Sequence, residues 1–218
     1  MCLILLGWQV CEGNPLVVAA NRDEFHARPA APAAFWEDRP GILAGRDLEA
    51  RGTWMGVSRS GKFAAVTNYR GAREPRAAES RGALVTRFLE NGDAPGRYIA
   101  RVQENAASYS GFNLLVSDGS ELWWISNRGG EPRRLGSGIY GLGNTLLDAP
   151  EVEGSKQRFA DALQPGPAVE PLFTVLNEAR IVDPMYGTRC STVMIGNRYA
   201  ERTFSPDGEE QDTLQYQL

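Results

Sequence analysis

Cys2 is the residue with the most chemistry to offer. Removal of Met1 would leave it with both a thiol and a free α-amine, and an amine of pKa about 7.7–8.0 can act as a general base at neutral pH. A nucleophile paired with its own terminal amine is an established way to activate a weak attacking group. The tetrapeptide Asn21-Arg22-Asp23-Glu24 supplies a second cluster, with an amide, a cation and two carboxylates in succession. Two apolar runs, residues 3–10 and 15–20, are separated by Cys11-Glu12-Gly13-Asn14. They read as a hairpin of two buried strands. The end of its second strand lies beside the start of the first, so the tetrapeptide, read as the loop that follows, falls next to Cys2. Plainer roles also suit these residues: a small buried hydrophobe for Cys2, a solvated turn for the tetrapeptide.

A secretory signal fits poorly, because the terminus has no positive region and Trp8 and Gln9 break the apolar run. The 218 residues are enough for one domain with a sizeable core, held without disulfides or metal. A net charge of −4, with no Lys/Arg block, argues against nucleic acid as a partner. No apolar run is long enough for stable membrane insertion. Three cysteines without C-x-x-C spacing point to a reducing, cytoplasmic setting. His26 is the sole histidine, which excludes a multi-histidine metal site and leaves one partner for any Cys–His pair. Its Pro/Ala-rich surroundings favour an incidental role. No cofactor is expected, and the oligomeric state is open.

The elements that must position these groups follow from pattern. Residues 26–41, with Pro29, Pro32, Pro40, Phe35 and Trp36, read as an irregular covering segment. Hairpins are expected over 53–67, ending in Asn68-Tyr69-Arg70, and over 112–126 about Asp118-Gly119. Helical periodicity marks 81–90 and a stretch opened by Pro95. A short strand at 139–142 leads to Asn144, and helices are expected over 154–163 and 169–180. Strands over 186–195, with Arg189 near the start, and 200–204 complete the pattern. No repeat or composition break divides the chain, so a single domain over 1–218 is expected. Hairpin blocks alternating with helix pairs argue α+β, arranged as a four-layer α-β-β-α sandwich of two antiparallel sheets.

The motifs NRDE (21–24), AGRDL (44–48), GTWMG (52–56), TNYR (67–70), YGLGN (140–144) and YGTRCST (186–192) resemble the NRDE family, which includes the transport-and-Golgi-organisation proteins. A more distant resemblance is to the choloylglycine hydrolase and penicillin V acylase group of N-terminal nucleophile hydrolases. That group also begins Met-Cys, folds as an αββα sandwich and cleaves linear amides. The resemblance implies Cys2 as nucleophile, Asp23 holding the terminal amine, Asn68 and Asn144 as oxyanion donors and Arg189 as the late arginine near the sulfur. The group's strand-end arginine falls on Ala20 here, with Arg22 two residues away on the same strand face. Asn21, Arg22, Glu24, Arg46, Tyr69 and Arg70 are the expected substrate contacts.

Two functions follow. One is a cysteine hydrolase of an amide or thioester in a small acylated metabolite. The other is a binding or carrier protein using the same pocket for acyl-CoA, lipid or haem. On the hydrolase reading, Arg189 and Arg22 are expected to lower the Cys2 thiol pKa.

Overall fold

The computed structural model describes residues 2–71 and 77–218. Met1, whose removal is expected, lies outside them. In chain order the elements are β1 (Leu3–Cys11), β2 (Asn14–Phe25), β3 (Ala30–Trp36), β4 (Arg39–Asp47), β5 (Met55–Ser58) and β6 (Phe63–Asn68). Helices α1 (Gly82–Glu90) and α2 (Pro95–Glu104) precede β7 (Phe112–Ser117), β8 (Leu122–Ser126), β9 (Arg133–Arg134) and β10 (Gly138–Leu142). Helices α3 (Glu153–Leu163) and α4 (Val169–Asn177) precede β11 (Tyr186–Ile195), β12 (Arg198–Phe204) and β13 (Glu210–Gln217). The class is α+β with two antiparallel sheets, as the alternating hairpin blocks and helix pairs imply.

Contacts group the chain into two compact units. One comprises residues 1–28, 137–143 and 147–218; the other comprises 29–136 and 144–146. The first holds a six-stranded sheet in the order β10-β1-β2-β11-β12-β13. The β1–β2 hairpin turns at Gly13, whose φ of 71° favours a residue without a Cβ. Alternation sends Leu3, Leu5, Val17, Ala19, Val193 and Ile195 to one face, where α3 and α4 meet them with Phe159, Leu163, Leu172 and Leu176. Both faces of β1 are buried from Leu3 to Trp8, which explains its unbroken apolar run.

The second unit is built on a seven-stranded sheet, β3-β4-β5-β6-β7-β8-β9 in order. Ile42, Ala44, Ala64, Val66, Leu114, Val116 and Ile125 pack under Leu84, Val85, Phe88, Ile99 and Val102 of α1 and α2. Gly52 is needed where the chain passes α1, because a Cβ there would lie 2.7 Å from the Gly82 carbonyl carbon.

Four details differ from expectation. The stretch 26–41 is no irregular cover: it forms β3 and opens β4, an edge hairpin in which Pro32 breaks no ladder that a central strand would need. The NRDE tetrapeptide is not a loop but the last third of β2, and Asn21, Arg22 and Asp23 are buried. Strands β9 and β13 lack an apolar alternation to announce them; β13 is largely exposed along its length. Helix α4 ends at Asn177, short of the expected 180.

Candidate active site

Residues 21–24 lie in β2, paired along β11 on one side, with Asn21 paired also to β1 on the other. Leu3 of β1 faces Asn21. Across the other edge Ser191 faces Asn21, Cys190 faces Arg22 and Thr188 faces Asp23, with a bulge between Thr188 and Cys190. The extra residue in that bulge is Arg189. A bulge re-aims its side chain, and Arg189 Nη1 donates to the carbonyls of Phe25 and Arg28 (both 3.1 Å) and His26 (3.4 Å). Arg189 therefore ties down the turn that follows β2.

The bulge also lets two hydroxyls three residues apart in β11 serve two polar residues two apart in β2. Thr188 Oγ1 donates to the Asp23 carboxylate at 2.7 Å, and Ser191 Oγ donates to Asn21 Oδ1 at 2.6 Å. The Asn21 amide in turn donates to the Leu176 carbonyl at the end of α4 (2.9 Å), and the Tyr186 hydroxyl donates to the Asp23 carbonyl (3.2 Å). Burying such groups without partners would cost roughly 1–3 kcal/mol each, so these bonds are what allow the motif to lie inside a sheet.

Cys2 is partly exposed at the start of β1. Its sulfur sits 3.4 Å from both the backbone nitrogen and the carbonyl oxygen of Asp23, accepting from one and donating to the other. Cys2 is thus beside the NRDE motif, as the hairpin geometry requires. Its thiol pKa is raised, first by burial of the sulfur and then by the Asp23 charge, while the Asp23 N–H and Arg22 pull the other way. The expected depression by cationic neighbours is corrected: desolvation outweighs Arg22, and the Arg189 guanidinium is engaged by carbonyls. Burial, and then Arg22, lowers the pKa of Arg189, so the two cations feel each other. Glu24 lies between cations, 3.9 Å from Arg22 Nη2 and 3.9 Å from Arg28 Nε.

The remaining expected residues belong to the second unit. Asn144 is buried at the end of the chain leaving β10. Its amide donates to the Asn68 carbonyl (2.8 Å), and its own carbonyl accepts from the Arg70 N–H (2.6 Å). Tyr69 is pinned by its N–H to the Gly111 carbonyl at 2.9 Å. Asn68, Tyr69, Arg70 and Asn144 thus form one local group. Arg46 lies apart from it in the β3–β4 hairpin, gripping Asp38 with both terminal nitrogens (2.6 and 2.7 Å) and stacked 4.3 Å from the Trp36 ring centroid. It holds the Asp38 carboxyl below the usual range.

Thr188, Tyr186 and Ser191 support the site but were not singled out from the sequence. The YGTRCST motif contains them, yet in an unbroken strand Thr188 and Ser191 would point to opposite faces. Among the described residues no group of three His, Cys, Asp or Glu side chains is placed to hold a metal ion. No helix among the described residues is long and apolar enough to cross a membrane. A cavity of about 630 Å³ in the second unit is lined by Leu84, Arg87, Tyr98, Arg101 and Tyr109, among others, and contains none of these site residues.

The chain is similar to known proteins in sequence and in fold. A family model described as Transport and Golgi organisation 2 matches residues 1–184. The Transport and Golgi organization protein 2 homolog of Bos taurus is 36% identical over 87% of this chain and 85% of its own. The human homolog is 39% identical over 78% of this chain and 68% of its own. Among solved structures, a variant of the conjugated bile acid hydrolase from Clostridium perfringens aligns over all of this chain and 97% of its own, with TM-score 0.61 and 9% identity. Penicillin V acylase from Agrobacterium tumefaciens covers all of this chain and 86% of its own, with TM-score 0.55 and 14% identity. At such identities these likenesses show the fold, that of the N-terminal nucleophile hydrolases. Family-model and sequence matches across most of its length establish that the chain belongs to the Transport and Golgi organisation 2 family.

Proposed function

We propose that the protein is an N-terminal-cysteine hydrolase that cleaves an amide or thioester bond of a small acylated metabolite. The observation that carries this reading is the seat of the Cys2 sulfur against the backbone of Asp23, whose carboxylate Thr188 holds in place. With Met1 removed, the Cys2 amine takes the thiol proton as the sulfur bonds to the substrate carbonyl carbon. The amine then passes that proton to the departing amine or thiol, and water releases the acid from the acyl-cysteine. Asp23 stabilises the ammonium formed midway. Loss of one oxyanion donor in such a step typically costs about 10²–10³ in rate. Arg22 takes the role of the strand-end arginine, while Arg189 acts by fixing the turn beside the site. Glu24 and Asn21 shape substrate binding. The solved neighbours support the acyl-amide chemistry, being named for hydrolysis or acylase action on penicillin V and conjugated bile acids.

A carrier for acyl-CoA, lipid or haem is the second reading. The raised thiol pKa favours it, because Cys2 is not pre-ionised as an attacking group. The deciding experiment offers mature protein a panel of N-acyl amides and acyl thioesters. Release of free acid and an acyl adduct on Cys2 by mass spectrometry are expected, with Cys2→Ser silent but still able to bind. Turnover that survives Cys2→Ser, or protein from its natural host that retains Met1, would overturn the mechanism.

A further inference from the structure

Sheet edges among the described residues are β3, β9, β10 and β13. An open edge offers unpaired N–H and C=O groups to any other strand, so folded chains blunt it. Three of these edges are blunted. β9 has two residues, and β3 carries Pro32 and two breaks in its register. In β10 both backbone groups of Gly141 are taken: its N–H donates to the Asp148 carboxylate at 2.9 Å, and its C=O accepts from the Asp148 N–H at 2.8 Å.

β13 is different. Its eight residues hold no proline, lysine or arginine, and from Thr213 to Gln217 their pairing with β12 is regular. Which backbone groups point outward follows from the ladder. Ile195 and Arg198 close a two-residue hairpin turn, which aims the Arg198 N–H and C=O at β11. The Leu218 N–H donates to the Asn197 carbonyl at 2.8 Å, in step with the Arg198–Gln217 register. Alternation then ties Leu214 and Tyr216 to β12 and turns the N–H and C=O of Thr213, Gln215 and Gln217 to the open side.

The strand is complementary to itself. Across an antiparallel pair, residues directly opposite share a face, and outward groups must meet outward groups. A two-fold axis at Gln215 satisfies both conditions. Gln215 then faces Gln215 of the second copy, Thr213 faces Gln217, and every outward group from 213 to 217 finds a partner. Leu214 comes to lie across from Tyr216 in a non-hydrogen-bonded pair, where side chains approach closest. Both are already partly buried on the Tyr199 face of the sheet. Charge fits as well. The two carboxylates of β13, Glu210 and Asp212, lie at one end, where the register with β12 breaks. The two-fold holds the acidic ends apart, each beyond the uncharged end of the other copy, whereas a parallel pairing would set like charges side by side.

We propose that two copies of the chain associate through β13, antiparallel about Gln215, so that their six-stranded sheets become one continuous sheet. The paired stretch is short, so the interface is small and the association weak.

Sedimentation velocity of the full chain at concentrations up to about 1 mM tests this, and a monomer–dimer equilibrium is expected. Gln215→Pro removes an N–H that β12 does not use, so the monomer keeps its fold while association should weaken about tenfold or more. Gln215→Lys sets two ammonium groups face to face at the axis and should weaken association about two- to fivefold. It carries the test should the proline variant unfold. Amide exchange reads the register. In dilute protein Leu214 and Tyr216 should be protected and Thr213, Gln215 and Gln217 open; in concentrated protein all five should be protected. A wild-type chain that stays monomeric at about 1 mM overturns the proposal. So does a dimer that keeps its affinity in whichever variant folds, or one whose new protection misses 213, 215 and 217, because its interface then lies elsewhere.

Discussion

Thr188 shows how much one hydroxyl can decide. It donates to the Asp23 carboxylate and accepts from the Ile181 N–H at 2.9 Å, so it couples the motif to the segment after α4. Thr188→Val should cost about 1–3 kcal/mol in stability, since it removes one hydrogen bond to a buried carboxylate and one from an amide; urea unfolding measures this. On the hydrolase reading it should also lower kcat more than it raises KM, because Asp23 acts on the amine and not on the substrate. Arg189→Met should cost about 2 kcal/mol by freeing three carbonyls, yet leave the pH profile of Cys2 alkylation nearly unchanged. The motif YGTRCST advertised Arg189 by its charge, whereas its position in a bulge was invisible, and with it the turn it fastens. Asn21 and Asp23 read as a solvated loop because their partners lie 170 and 165 residues away.

Hairpins and helices were legible wherever periodicity reflects burial on a defined face. The β7–β8 hairpin about Asp118-Gly119 and the amphipathic α1 are plain in the residues. Edge strands were not: β3 carries prolines and β13 reads Glu-Gln-Asp-Thr-Leu-Gln-Tyr-Gln, with polar residues on both faces. Their pairing comes from a neighbouring strand and leaves little trace in composition. Glycine in the GTWMG motif is a packing requirement of the same scale. Gly52→Ala would drive a methyl into the Gly82 backbone at the start of α1, and should lower stability by about 1–3 kcal/mol. Phe159→Ala in α3 empties a fully buried site and should cost about 3–5 kcal/mol. Denaturant midpoints at constant m-value check both.

For the whole molecule, the alkaline side is where stability should fail first. Burial raises the Cys190 thiol and the Tyr199 phenol well above their ordinary values. Both groups bind their protons more tightly folded than unfolded. Their contribution is therefore fully present below the unfolded values of roughly 8.5–10 and is lost as pH climbs through the higher folded ones. Melting temperature should hold from pH 7 to about 8.5 and fall beyond it, with Tyr199→Phe removing part of the fall. That the chain is α+β with two antiparallel sheets was readable from the order of elements, but which helix pair covers which sheet was not: α3 and α4 follow the β7–β8 hairpin, yet pack on β1, β2, β11 and β12.

The pairing of β2 with β11 has a consequence for synthesis. A ribosome delivers the NRDE strand at once but its central neighbour only after about 160 further residues, at roughly 5–20 residues per second. Until β11 emerges, β2 presents an unpaired apolar edge with buried-type polar groups exposed. A chain cut short near residue 184 should accordingly leave the ribosome aggregation-prone and chaperone-bound, with every NRDE residue present and nothing to hold them.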